Sequence, residues 1–136
     1  YTISDTYFNS QKRTKMKIFI VTGSLLMALT VLFGAFGAHS LKNSLSMESI
    51  KVFEKGVQYQ AYHSLGLVII GLLGFNFPHH LLLLPCLLFI FGIILFSGSL
   101  YILVLSNIKW FGIVTPLGGV SFVLGWIFLS WIIFHN

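Results

Sequence analysis

From Gly56 to the C-terminus, the sequence contains a single charged side chain, that of Lys109. A soluble domain carries charge at roughly a quarter of its positions, and lipid is the solvent that suits so long an uncharged stretch. Over the whole chain, 57% of the residues are hydrophobic and 8% are charged. The sequence therefore predicts an integral membrane protein, with the lipid bilayer as its first partner.

Four stretches are long and apolar enough to cross a bilayer as helices. About 20 helical residues, at 1.5 Å each, cover the roughly 30 Å of hydrocarbon. The predicted spans are residues 18–38, 57–77, 81–105 and 112–134. Since the second and third spans are each followed by a short turn, consecutive spans from the second onward are predicted to be antiparallel neighbours. The predicted fold class is an all-α integral membrane protein, a four-transmembrane-helix bundle forming one domain over residues 16–136.

The polar connection between the first two spans contains a helix signal of its own. Ser46 followed by Glu48 is typical of a helix start, with a capping hydroxyl and an acid in the first turn. Ile50, Phe53 and Val57 then fall on one side of that helix. The pattern predicts a short amphipathic helix in the membrane interface, although a helix in a soluble loop would produce it equally well.

Residues 1–15 are polar and lack the pattern of the spans. Met16 heads the first coherent segment, so we expect Met16 to be the natural start and residues 1–15 to be an extension outside the fold. Basic residues at the ends of apolar spans are a topology signal, and nucleic acid is not an expected partner. They divide evenly between the two sides when residues 1–15 are counted, which leaves the orientation open.

Polar side chains inside the spans are the candidate functional residues, because such groups are costly at membrane depth. His63 is the most suggestive, with Tyr59 four residues earlier on the same helix face. Packing with hydrogen bonds is favoured for His63 over a proton, ligand or metal role, and both stay open. The predicted polar cluster comprises His39, Tyr59, Gln60, His63, Ser97, Ser99, Tyr101 and Thr115.

Small residues mark the faces where helices are expected to touch. The segment Leu95–Tyr101 combines two hydroxyls, a glycine and a phenol inside an apolar run, and is predicted to be the packing centre. It should face the Tyr59–His63 turn and the thin face around Gly118. The lone Cys86 is predicted to be a buried, apolar-like residue. The predicted helix-packing residues are Gly34, Gly37, Ala38, Gly98, Gly118, Gly119 and Gly125.

Catalytic and metal-binding motifs are not recognisable. Ser97 and Ser99 lack a plausible base and the strand-turn-helix context of a nucleophile elbow. Gly118-Gly119 lacks the lysine of a phosphate-binding loop. His39, Glu54 and His63 lack the local spacing of metal ligands. We therefore expect no catalytic residue, no metal, no cofactor and no enzymatic activity.

Four segments in order resemble one family, the YgdD/YwdK-like small membrane proteins (domain of unknown function 423). The resemblance covers Met16 to about Phe134 and implies a four-helix protein of the bacterial cytoplasmic membrane, without an established reaction, ligand or partner. The segments are Gly34–His39, Tyr59–His63, Leu95–Tyr101, and Thr115–Gly119 with Gly125-Trp126. The motif positions are Gly34, Gly37, His39, Tyr59, Gln60, His63, Ser97, Gly98, Ser99, Tyr101, Thr115, Pro116, Gly118 and Gly119.

Two functions from different classes fit these features. The first is a non-enzymatic protein that acts through helix-helix contacts with itself, as a homo-oligomer, or with a membrane partner. The second is a small channel or exporter for a small solute or ion. A membrane enzyme or haem site using His39 and His63 is a more distant third. The channel requires its polar face to converge on a cavity, and that face comprises Tyr59, His63, Ser97, Tyr101 and Thr115.

Overall fold

The computed structural model describes the backbone of residues 3–136 and the side chains of Thr14 and of residues 16–136. Within this part of the chain every regular element is a helix. The elements are α1 (Ile3–Phe36), a π-helical turn π1 (Gly37–Leu41), α2 (Met47–Leu73), α3 (His79–Gly92), a π-helical segment π2 (Ile93–Gly98), α4 (Ser99–Ser106) and α5 (Phe111–His135).

Three helices are long and apolar enough to cross a membrane. They are Met16–Leu41, His79–Ser106 and Phe111–His135. The second of these consists of α3, π2 and α4 in one unbroken helix, which we call the third helix. Large apolar side chains cover the outside of the bundle, and Val31 and Ile113 are about two-thirds exposed, at 67% and 70%. Such a surface suits lipid and not water.

The backbone of α1 begins at Ile3 and so includes most of the segment that the sequence sets apart as an extension. The side chains of residues 1–13 and of Lys15 lie outside the described residues. Whether residues 1–15 belong to the fold stays a prediction.

The sequence predicts two elements where the structure has one continuous helix, α2. The start is as predicted, because the Ser46 hydroxyl accepts a hydrogen bond from the Ser49 N–H at 3.1 Å and Glu48 lies in the first turn. The separate interfacial helix ending near Gly56 is wrong. Gly56 does not interrupt α2, because it is buried against the third helix and keeps helical geometry there. The helix ends at Leu73, four residues before the predicted end of the second span.

Helix α2 lies in the middle of the bundle, antiparallel to both of its long neighbours. Phe53 packs beside Gly37 at one end of α1, and Met16 packs beside Gly74 at the other. Contacts of Gly56 with Tyr101 and of Gly66 with Phe89 place the third helix along α2 in the opposite direction. The loops at residues 42–46 and 107–110 therefore share one end of the bundle, called the Lys109 end here.

Helix α5 completes the bundle by packing against the third helix. The buried core lies where α2, α3 and α5 meet, and the fully buried Cys86 belongs to it, as the sequence predicts. Asn107 has a φ of 57° and its N–H bonds to the Leu103 carbonyl at 2.9 Å, which ends α4 and reverses the chain. The core comprises Met16, Phe19, Leu67, Ile70, Leu82, Cys86, Phe89, Ile93, Phe122, Leu129 and Ile132.

Candidate functional site: polar contacts around helix α2

Gln60 joins three helices through its side-chain amide. Its Nε2 donates to the carbonyl of Leu26 in α1 at 3.0 Å. Its Oε1 accepts from the hydroxyl of Tyr101 in α4 at 2.9 Å. The side chain is only 3% exposed, so both bonds are made away from solvent. An amide used at both ends in this way fixes the relative positions of α1, α2 and α4.

Ser97 makes the closest polar contact between α2 and the third helix. Its hydroxyl donates to the carbonyl of Gly56 at 2.7 Å, and the side chain is fully buried. A Cβ on Gly56 would lie 2.8 Å from the ring of Tyr101, so only glycine admits this approach. Ser97 lies in π2, and π-helical segments inside α-helices are frequent at functional sites. As predicted, the Leu95–Tyr101 segment faces the Tyr59–His63 turn.

The same segment also contacts α5. The hydroxyls of Ser99 and Thr115 share a hydrogen bond at 2.7 Å. One helical turn further along α5, a Cβ on Gly118 would lie 2.4 Å from the backbone nitrogen of Phe96. The segment therefore meets both neighbours at close range, on two sides of the third helix.

His63 lies at a different contact, between α2 and α5. Its Nδ1 is 2.7 Å from the Tyr59 carbonyl, and its Nε2 is 3.2 Å from the indole Nε1 of Trp126. A carbonyl can only accept and an indole N–H can only donate, so Nδ1 carries the proton and Nε2 is the acceptor. The ring stacks on Phe122 with centroids 3.4 Å apart and an interplanar angle of 9°. Both nitrogens of the neutral imidazole are thus satisfied.

We expect nitrogen NMR of labelled protein in lipid to show His63 as the neutral Nδ1–H tautomer. Replacing Trp126 with Phe keeps a ring at this position and removes the only donor to Nε2. The loss should lower the free energy of unfolding by about 0.6–2 kcal/mol, the range for one interhelical hydrogen bond in a membrane. An Nε2–H tautomer or an imidazolium in the parent protein would contradict the assignment.

The structure divides the predicted polar cluster into separate contacts. Gln60 and Tyr101 meet at one place, Ser99 and Thr115 at another, and the ring of His63 lies against α5. His39 is not brought to any of them. The π1 turn buries Gly37 and leaves His39 exposed at the Lys109 end. Among the described residues, no three His, Cys, Asp or Glu side chains are grouped so that they could hold a metal.

The predicted packing residues also separate into close and loose positions. A Cβ would lie 2.4 Å from the nearest atom at Gly118, 2.6 Å at Gly125 and 3.1 Å at Gly37. At Gly34, Gly98 and Gly119 the nearest atom is at 3.7 Å or more, and Ala38 is exposed. Close packing therefore uses one face of each glycine-rich segment.

Sequence reasoning missed several partners in these contacts. The carbonyls of Leu26, Gly56 and Leu88 accept interhelical hydrogen bonds from Gln60, Ser97 and Ser121. Every residue carries a carbonyl, so the residue type gives no signal. The Phe89 ring, which lies between Gly66 and Gly125, was also missed. Its signal is the presence of a glycine on each neighbouring helix opposite a large ring.

The chain is similar to a set of bacterial membrane proteins. The family model described as Protein of unknown function (DUF423) matches residues 33–119. The UPF0382 membrane protein SSP2132 of Staphylococcus saprophyticus is 48% identical over 114 residues, covering 84% of this chain and 94% of that protein. YwdK of Bacillus subtilis, another UPF0382 membrane protein, is 42% identical over 116 residues, covering 84% of this chain and 94% of that protein. No solved structure matches the chain.

The family match takes in the end of α1, all of α2 and of the third helix, and the first turns of α5. It therefore contains the contacts of Gln60, Ser97 and Thr115 described above. The relatives are named membrane proteins, which agrees with three helices able to cross a membrane. The chain belongs to the UPF0382 family of bacterial membrane proteins, the family described as Protein of unknown function (DUF423).

Proposed function

We propose that this protein is a non-enzymatic membrane protein that acts through helix-helix association, with a second copy of itself or with a membrane partner. The observation that carries the proposal is the outward face of α1. Ser24, Ala28 and Ala35 are exposed on this face, and Ser24 and Ala28 have the small-xxx-small spacing that lets two membrane helices approach closely. Of the three helices able to cross a membrane, the one containing α1 is also the least buried.

The opposite face of α1 is already occupied by α2. A Cβ on Gly23 would lie 2.6 Å from the Ser64 carbonyl, and Gly37 packs against Phe53. The polar groups at this contact are used within the bundle, since Gln60 reaches the Leu26 carbonyl. The outward face is therefore the part of α1 that is free to meet another helix.

Cross-linking in native membranes tests the association. In a Cys86→Ala background, a single cysteine at Ala28 should form a covalent dimer or a partner adduct on oxidation, and the mass of the band separates the two. The matched control is Val120→Cys on the outward face of α5, which is similarly apolar and 57% exposed. Monomer alone at Ala28, or equal cross-linking at both positions, would contradict the proposal.

A four-span arrangement, with α2 as the fourth membrane-embedded helix, belongs to the same proposal. Helix α2 contacts α1 from Phe53 to Gly74, so it shares the depth of a helix that can cross the membrane. Its own composition is too polar to identify it, because Gln58, Gln60 and His63 lie in its middle. Among the described residues, every buried side-chain nitrogen and oxygen has a hydrogen-bond partner, which removes the main cost of placing such a helix in lipid. The charged first turns of α2 then lie in the membrane interface.

Cysteine labelling across the membrane tests this topology. In the Cys86→Ala background, Ser44→Cys and Asn107→Cys should react with an impermeant maleimide from one side, and Asn76→Cys from the other. All three positions are exposed in loops between helices. Asn107 and Asn76 flank a helix that is long and apolar enough to cross, so they serve as the reference pair. Labelling of Ser44→Cys and Asn76→Cys from the same side would show that α2 does not cross.

A further inference from the structure

A groove on the outer surface of the bundle lies between the middle of α2 and the middle of α5. It encloses about 390 Å³, within the range of small-molecule sites. Since both helices are entered near their centres, the groove opens sideways toward the lipid in the four-span arrangement. Its walls are almost entirely rings, with a glycine providing the space between them. The residues that matter here are Tyr59, Tyr62, His63, Gly119, Phe122 and Trp126.

Two phenol groups bring free hydrogen-bond donors to this groove. Tyr59 is partly exposed, and none of the described residues donates to its hydroxyl or accepts from it. The Tyr62 oxygen accepts from the Gln58 amide at 2.6 Å, which leaves the Tyr62 proton free to donate. Away from water, a polar group without a partner is costly, so these donors favour a ligand that brings acceptors.

The other polar groups of the groove are already paired. The indole N–H of Trp126 donates to His63, and the second nitrogen of His63 donates to a backbone carbonyl. The side chains that line the groove include none with a charge, so an anionic headgroup would gain no ion pair within it. A simple acyl chain would use neither the phenols nor the aromatic walls. The chemistry that remains is a flat ring bearing acceptor oxygens.

We propose that this groove binds a planar, lipid-soluble carbonyl compound of the quinone class. The ring packs against the aromatic walls, and the carbonyl oxygens accept from the hydroxyls of Tyr59 and Tyr62. The groove lies on α2 and α5, away from the outward face of α1. This inference therefore stands or falls separately from association through α1.

Tryptophan fluorescence in phosphatidylcholine liposomes tests the site. Trp110→Phe and Trp131→Phe leave Trp126 as the only tryptophan of the chain, directly in the groove. Titration with 2-methyl-1,4-naphthoquinone should quench it with a saturable component above the collisional background. Tyr59→Phe with Tyr62→Phe should weaken the apparent affinity about tenfold, the effect of losing two modest hydrogen bonds. 2-Methylnaphthalene, which lacks the carbonyls, should bind similarly weakly to the parent protein.

Two leucine substitutions in α5 provide the matched control. A Cβ at Gly119 has its nearest neighbours at 3.9 Å and one at Gly112 at 3.7 Å, so both backbones have room for a side chain. Gly119→Leu fills the groove and should abolish saturable quenching, while Gly112→Leu, outside the groove, should preserve it. The proposal is overturned if the parent shows no saturable component, if the two phenylalanine substitutions leave the affinity unchanged, or if palmitate displaces the naphthoquinone at equal concentration.

Discussion

Gly118→Ala is expected to lower the free energy of unfolding by about 1–3 kcal/mol, the usual cost of forcing a methyl group into a packed contact. The new Cβ would lie 2.4 Å from the backbone nitrogen of Phe96 and 2.8 Å from its Cα. A backbone cannot move aside as the end of a flexible side chain can, so α5 and the third helix would have to separate. Thermal unfolding in detergent micelles, followed by circular dichroism, measures the loss.

Gly119→Ala is the matched control, one residue away on the same helix. Its Cβ would lie 3.9 Å from the Phe96 ring, an ordinary contact. Replacing a helical glycine with alanine where there is room stabilises by up to about 1 kcal/mol, so this variant should be neutral or slightly more stable. Equal destabilisation by the two substitutions would mean that α5 and the third helix do not meet through Gly118.

Gln60→Leu should have the next largest effect, a loss of about 1–3 kcal/mol. It removes the bond to the Leu26 carbonyl and leaves the Tyr101 hydroxyl without the acceptor seen in the structure. Tyr101→Phe removes that hydroxyl, so the double variant should be less destabilised than the sum of the two single variants. The coupling free energy should be about 0.6–2 kcal/mol when measured by the same unfolding experiment.

Gln58→Leu is the control for the glutamine substitution. Gln58 has the same residue type on the same helix, but its bonds to Lys55 and Tyr62 lie on the outside of the bundle. Removing them should change the free energy of unfolding by no more than about 0.5 kcal/mol. A large loss at Gln58 together with a small one at Gln60 would mean that the buried bridge is not what holds α1 and α4 to α2.

The apolar helices could be predicted from sequence, because an uncharged stretch such as residues 81–105 has few alternatives to a membrane helix. The role of Leu95–Tyr101 could be predicted for a related reason. Ser97 and Tyr101 are polar where lipid would favour apolar residues, and their groups must find partners on neighbouring helices. What the pattern could not supply is the identity of those partners, because the Gly56 carbonyl is chemically like every other.

The continuity of α2 and the division of the polar residues could not be predicted either. Gly56 resembles a boundary in the sequence, and its real role depends on the Tyr101 ring that lies beside it. Gly118 and Gly119 look equivalent, yet one residue of helix turns the side-chain direction by about 100°. Only the neighbouring helix decides which of the two lies in the contact. His39 fits the same motif pattern as His63, but the π1 turn leaves it exposed.

The π2 segment has a consequence for how the length of the third helix can vary. A π-helical turn holds about one residue more than an α-helical turn, so it advances the angular phase of everything that follows. Deleting one residue within π2 would restore a regular α-helix and rotate α4 relative to α3 by about 100°. The Phe89 side of the helix would keep its neighbours, while Tyr101 would turn away from Gln60. The third helix thus behaves as a screw whose thread is offset at its midpoint, and its two halves can be aligned with the bundle only at this one length.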